Sequence, residues 1–178
     1  MQIERNRLSV RTLCQIALLI ALTIVVRMNT PILPVLGRIE FATVFSQLIP
    51  ILFGPVLGGI SAAVADFVGW MIRGGGMFLW QIFVLEIVKA VGIALMWRGL
   101  KIKNKLIRLF LIILVVDVIY VAARTWVLID VGIIQAEAFW IALSPRLIAT
   151  LVFVIPKTYI MHLLINIHEK YIRKEKQQ

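Results

Sequence analysis

Apolar residues dominate six stretches of the chain, at about 10–27, 39–53, 55–72, 78–97, 106–128 and 138–165, and polar residues gather between them. A helix needs about 20 predominantly apolar residues to cross the hydrocarbon core of a bilayer. Inside that layer only a helix or a closed barrel satisfies its own backbone groups. The pattern therefore predicts an all-α integral membrane protein, a six-transmembrane-helix bundle forming one domain over residues 1–178. Residues that interrupt helices fall between the runs: Pro31, Pro34 and Gly37 after the first, Phe53-Gly54-Pro55 between the second and third, and Gly74-Gly75-Gly76 after the third. The second run is short.

Composition agrees with this pattern. Of 178 residues, 61% are hydrophobic and 16% charged, more apolar surface than a soluble domain of this length has interior to hide. The first run begins near Leu13 with no small-residue cleavage site after it, so it is read as a span and not a removed signal. The single cysteine, Cys14, excludes an intrachain disulfide. A net charge of +10 raises the question of nucleic acid, but the placement of the bases answers it. Arg5, Arg7 and Arg11 precede the first run. Arg98, Lys101, Lys103, Lys105 and Arg108 lie between the fourth and fifth, and Lys170, Arg173, Lys174 and Lys176 follow the sixth. With six spans all three clusters share one side, and the positive-inside rule makes that side, with both termini, cytoplasmic. The expected location is the plasma membrane of a prokaryote, with no nucleic-acid partner.

Several chemistries find no motif. There is no phosphate-cradling GxxxxGK[ST], no HExxH and no GxSxG, which argues against a self-powered pump and against the common hydrolases. His162 and His168 read as interfacial residues near the cytoplasmic end. No metal or cofactor is expected.

The polar groups within the runs carry the remaining information. Arg27, Arg73, Arg124 and Arg146 fall at or near the outer ends of different spans, with Asp66 and Glu86 about two turns deeper. A charge at mid-span costs at least about 2.5–3.5 kcal/mol on insertion scales, so such groups face a protein interior or a watery cavity. Two readings follow. Glu86 and Lys89 are three apart and can pair on one helix, and Asp66 can pair with Arg27, Arg73 or Arg146. Alternatively, the set lines a polar cavity opening outward. Asp117, Tyr120 and Arg124 repeat at i, i+3 and i+7 and share a face. Phe41, Trp70, Phe78, Trp80, Trp126, Phe139 and Trp140 surround this end, as an interfacial belt or as flat walls beside arginines for a planar, partly anionic ligand. Ala17 and Ala21 form an AxxxA pair, and Gly54, Gly58, Ala62, Ala65 and Gly69 form a small-residue stripe that permits close helix approach.

"ALLIA" in the first run, "IEFATVFSQLIPILFGPVLGGISAAVADFVG" across the second and third, and "ALSPRLIATLVFVIP" in the sixth are together similar to the substrate-binding S component of an energy-coupling factor (ECF) vitamin transporter. The resemblance covers nearly the whole chain and is greatest to the folate-type members. Arg27 matches an arginine ending their first span. "SPRLIA" is the nearest counterpart of their P-x-R-L-I-K stretch, with Arg146 matching and Ala149 at the lysine position. "RGGGMFLWQ" stands where they carry a phenylalanine-proline-glycine turn. The resemblance implies a subunit that captures an anionic vitamin, a folate or related pterin, from outside. The substrate-binding set would be Arg27, Asp66, Arg73, Trp80, Glu86, Arg124 and Arg146. The gating loops would hold Pro34 and Gly37 on one side and Gly74, Gly75 and Gly76 on the other. Ala17 and Ala21 would dock on a transmembrane T component, and two cytoplasmic ATPases would power the cycle.

Other readings differ in class. Another pterin, pantothenate or a modified nucleobase would keep the mechanism and change the ligand. A small intramembrane enzyme would use Asp66, Glu86 or Asp117 as acid or base, although these acids are spread over different helices. An assembly subunit would bind no ligand.

Overall fold

The computed structural model describes residues 10–30, 32–33, 37–38, 42–73, 77–135 and 139–175, with backbone alone at 32–33, 37–38 and 171–175. Six helices follow one another: α1 (Val10–Asn29), α2 (Ala42–Phe53), α3 (Pro55–Ile72), α4 (Trp80–Gly99), α5 (Lys105–Asp130) and α6 (Phe139–Glu175). Between α1 and α2, β1 (Ile32–Leu33) and β2 (Gly37–Arg38) form a short antiparallel ladder with Leu33 opposite Gly37. That ladder is the one departure from the expected all-α class among the described residues. Pro34 and Gly74–Gly76 lie outside them.

Among the described residues, five helices are long and apolar enough to cross a membrane: α1, α3, α4, α5 and α6. Their outward faces carry large apolar side chains, such as Leu18, Val56, Val88, Ile119 and Ile155, which are all exposed in the isolated chain. In water such a surface would aggregate; in lipid it is the expected exterior. The sixth helix differs. α2 has 12 residues, or about 18 Å of rise, too little for a hydrocarbon layer of about 30 Å. It packs against α1, α3, α4 and α6, and most of its residues are buried. A helix enclosed by other helices meets little lipid, so bilayer thickness does not set its length. Val44, Leu48 and Ile51 of α2 join Ile93, Leu109, Ile112, Ile113, Val154 and Met161 in the central core.

The corner between α2 and α3 depends on two glycines. Gly54 has φ 92° and ψ −178°, a region essentially confined to glycine, and Pro55 then opens α3 with φ already set for a helix. One turn on, a Cβ at Gly58 would lie 2.5 Å from Pro50 Cβ and 2.8 Å from its Cα, so the backbones of α2 and α3 meet with no side chain between them.

Contacts between the helix ends define the two ends of the bundle. At one end, Arg98 closing α4 lies against Gly54, Phe53 packs edge-on to His168 of α6, and Lys105 opening α5 bonds to Glu169. At the other, the end of α5 meets the start of α6 through Arg146 and Thr125. The ends of α1 and α3 meet there through Arg27 and Asp66.

Replacing Gly58 with alanine forces that corner apart and should destabilise the protein by about 1–3 kcal/mol, read as a lower Tm in detergent. Gly92 of α4 has nothing within 4 Å of an added Cβ, so Gly92→Ala should leave Tm unchanged or raise it. Equal effects of the two substitutions would contradict the close approach.

Candidate functional site

The charges within α1, α3 and α4 form one chain of contacts, half-buried at Arg27 and Asp66 and buried at Glu86 and Lys89. Arg27 donates from Nη1 to Asp66 Oδ1 at 3.0 Å, and its Nη2 lies 3.7 Å from Glu86 Oε1. The same oxygen of Glu86 accepts from the Tyr120 hydroxyl at 2.6 Å, while Oε2 accepts from Lys89 Nζ at 3.3 Å. Lys89 Nζ also stands 3.8 Å from the centre of the Tyr120 ring. Three helices, α1, α4 and α5, therefore meet at one carboxylate, Glu86, which is buried, and α3 joins them through Asp66 and Arg27. The buried Glu86–Lys89 pair is screened little, and the Glu86 carboxylate is satisfied by more than one neighbour, as a buried charge requires.

Above this chain opens a cavity of about 220 Å³. Arg27, Asp66, Arg73, Glu86 and Arg124 line it with polar groups, and Trp70 and Phe78 with aromatic rings. Its position follows from the fold: the ends of α1, α3 and α5 converge with the start of α4. Trp70 and Phe78 belong to a wider aromatic cluster, with ring centres 5.1 Å apart and Phe67 and Phe83 packed against Phe78. Guanidinium groups, carboxylates and a π wall thus face one space. Such a lining can hydrogen-bond an anion, accept from ring N–H groups and stack on a flat heterocycle. Among the described residues no group of three or more His, Cys, Asp or Glu could hold a metal ion.

Asp66 and Glu86 are paired, and both also line the cavity. Trp80 and Arg146 of the expected set do not line it. Trp80 opens α4 with 63% of its surface exposed, as an interfacial residue would be, and Arg146 donates a long bond of 3.4 Å to Thr125. Trp70 and Phe78, read from the sequence only as belt aromatics, take the place expected of Trp80. Ala17 and Ala21 are both exposed on α1.

A second polar centre lies deeper. Asp117, midway along α5, accepts from Gln47 Nε2 of α2 and from Lys157 Nζ of α6, each at 2.6 Å. All three residues are buried and none lines the cavity. Gln47 was invisible to the sequence reading, which followed charges; its one signal is an amide in an otherwise apolar helix.

Comparison with known proteins now decides the family. The model of the ECF-type riboflavin transporter S component family matches residues 7–170. The chain belongs to that family. Its members are substrate-binding subunits of transporters, not enzymes. Among solved structures, the crystal structure of FolT bound with folic acid matches with TM-score 0.66 and 23% identity, over 85% of this chain and 89% of that one. At that identity the likeness concerns the fold, which the two chains share. No curated protein matches the chain. The expected S-component family is therefore the right one, and its membrane-helical fold is that of a folate-binding neighbour.

Removing Lys157 alone, as Lys157→Met, strands the buried Asp117 carboxylate and should cost about 3–5 kcal/mol. Adding Asp117→Asn should recover part of that loss, since no buried charge then remains. Thermal unfolding of the two variants checks both signs; a double variant less stable than Lys157→Met would contradict the pairing.

Proposed function

We propose that this chain captures an anionic vitamin with a planar heterocycle, a folate or related pterin, and hands it to an ECF importer. One observation carries the reading: Arg27, Arg73 and Arg124 share a cavity with Asp66, Glu86, Trp70 and Phe78. The carboxylates suit the ring N–H groups of a pterin, the aromatic rings its flat face, and the guanidinium groups a glutamate-type carboxylate. FolT, whose structure holds folic acid, has the same fold. In this reading α2 counts as the sixth span, both termini are cytoplasmic and the cavity opens outward. The exposed Ala17 and Ala21 dock on a T component, and two ATPases supply the energy. The basic residues at 98–108, at the end opposite the cavity, support this orientation.

A second reading is favoured by the description of the matching family, which names riboflavin. A flavin offers a flat ring and no carboxylate, so it would use the aromatic wall and the acids and leave the outer arginines without an anionic partner from the ligand.

Titration of ligand-free protein with folate and with riboflavin separates the two. Folate should bind more tightly, and Arg124→Gln should weaken it by about tenfold or more, the worth of one charge-assisted hydrogen bond. Tighter binding of riboflavin, unaffected by Arg124→Gln, would assign the cavity to the flavin.

A further inference from the structure

At the end opposite the cavity, we propose that the junction of α4 and α5 is a binding site for the headgroup of an anionic phospholipid. Arg98, Lys101, Lys103, Lys105 and Arg108 fall within eleven residues that include no acid. Lys105 and Arg108 stand in the first turn of α5, where the helix dipole favours anions over cations. Among the described residues, Glu169 is the one carboxylate within ion-pair distance of any of the five, and it is taken by Lys105 at 2.6 Å.

Arg108 gives the site its geometry. Its guanidinium lies 4.2 Å above the ring of Trp97, and Trp97 packs against the central core, so the group is held in place. Its Nε is buried with no hydrogen-bond partner among the described residues. The residue as a whole is half-buried, and its remaining exposure therefore belongs to other atoms. A solvated loop base needs no such platform, and the positive-inside bias alone does not build one.

The occupant follows from what continues below Arg108. Leu111, Val115 and Ile119 stand three, seven and eleven positions further on, along one face of α5, and all three are exposed. A polyvalent anion in solution would have no use for that apolar track. A molecule with a phosphate head and acyl chains fits both, the phosphate beside Arg108, Lys101 and Lys103 and the chains along the aliphatic face.

Delipidated full-length protein in neutral detergent, titrated with phosphatidylglycerol or phosphatidylcholine and read by native mass spectrometry, tests the site. Phosphatidylglycerol should be retained in preference, with retention falling as salt rises. Arg108→Gln should weaken it about fivefold, and Lys101→Gln with Lys103→Gln about fivefold per base. Lys101 and Lys103 are exposed loop residues, so that double variant folds even if Arg108→Gln does not. Equal retention of the two lipids, or undiminished retention of phosphatidylglycerol in the double variant, would overturn the proposal.

Discussion

A charge inside the hydrocarbon layer has to find its opposite inside the same bundle, and in this chain that requirement converges on Arg27. Only Ile16, Thr23 and Ile24 of α1 are buried, so apolar packing holds this helix lightly. Its end is fastened by the bond to Asp66 of α3 and the approach to Glu86 of α4. Glu86 then reaches α5 through Tyr120. Breaking such a pair from one side leaves an uncompensated charge in a medium that solvates it poorly. The rotation of α1, α3, α4 and α5 about their axes is consequently set at one point, and the cavity is the space those four ends enclose.

The two polar centres differ in what they leave open. Asp117, Gln47 and Lys157 form a buried set where α2, α5 and α6 meet, and none of them lines the cavity. The Arg27 chain is built of the same kinds of groups but stands at the mouth, with Arg27, Asp66 and Glu86 also facing the cavity. The first fixes the packing of the short helix α2 against its neighbours. The second offers its hydrogen-bonding atoms to whatever enters. Their difference in depth, not in chemistry, separates a centre enclosed by helices from one that also lines the cavity.

Much of this was legible in the sequence because lipid imposes a simple rule on it. The run at 55–72 coincides with α3, and the FGP turn is the α2–α3 corner, since Gly54 and Pro55 leave the backbone few alternatives there. Arg27, Asp66 and Glu86 were found because charges in apolar runs are expensive and therefore conspicuous. Trp80 was misjudged for the converse reason: tryptophan is at home both in a binding wall and in the interfacial belt, and its spacing does not tell which. Gln47 and the short ladder from Ile32 to Arg38 carried no comparable signal. A neutral amide costs less than a charge, and a two-residue pairing leaves no periodicity to read.

The two ends of the bundle also divide the work. At the corner end, Gly58 removes the side chain that would hold α3 off Pro50 of α2, so that the two helices meet closely, and Arg98 of α4 fills the space against Gly54. At the cavity end the helices are joined by side chains reaching across, through Arg27, Tyr120 and Lys89. Close-packed backbones resist displacement because any shift creates a clash or a void, whereas an ion pair can exchange one partner for another of like charge. Anything anionic that enters the cavity and engages Arg27 must compete with Asp66 and Glu86 for it. In the proposed function, the helix released or held by that competition is α1, which also presents Ala17 and Ala21 on its exposed side. Ligand recognition and the mobility of the docking helix would then rest on the same guanidinium group.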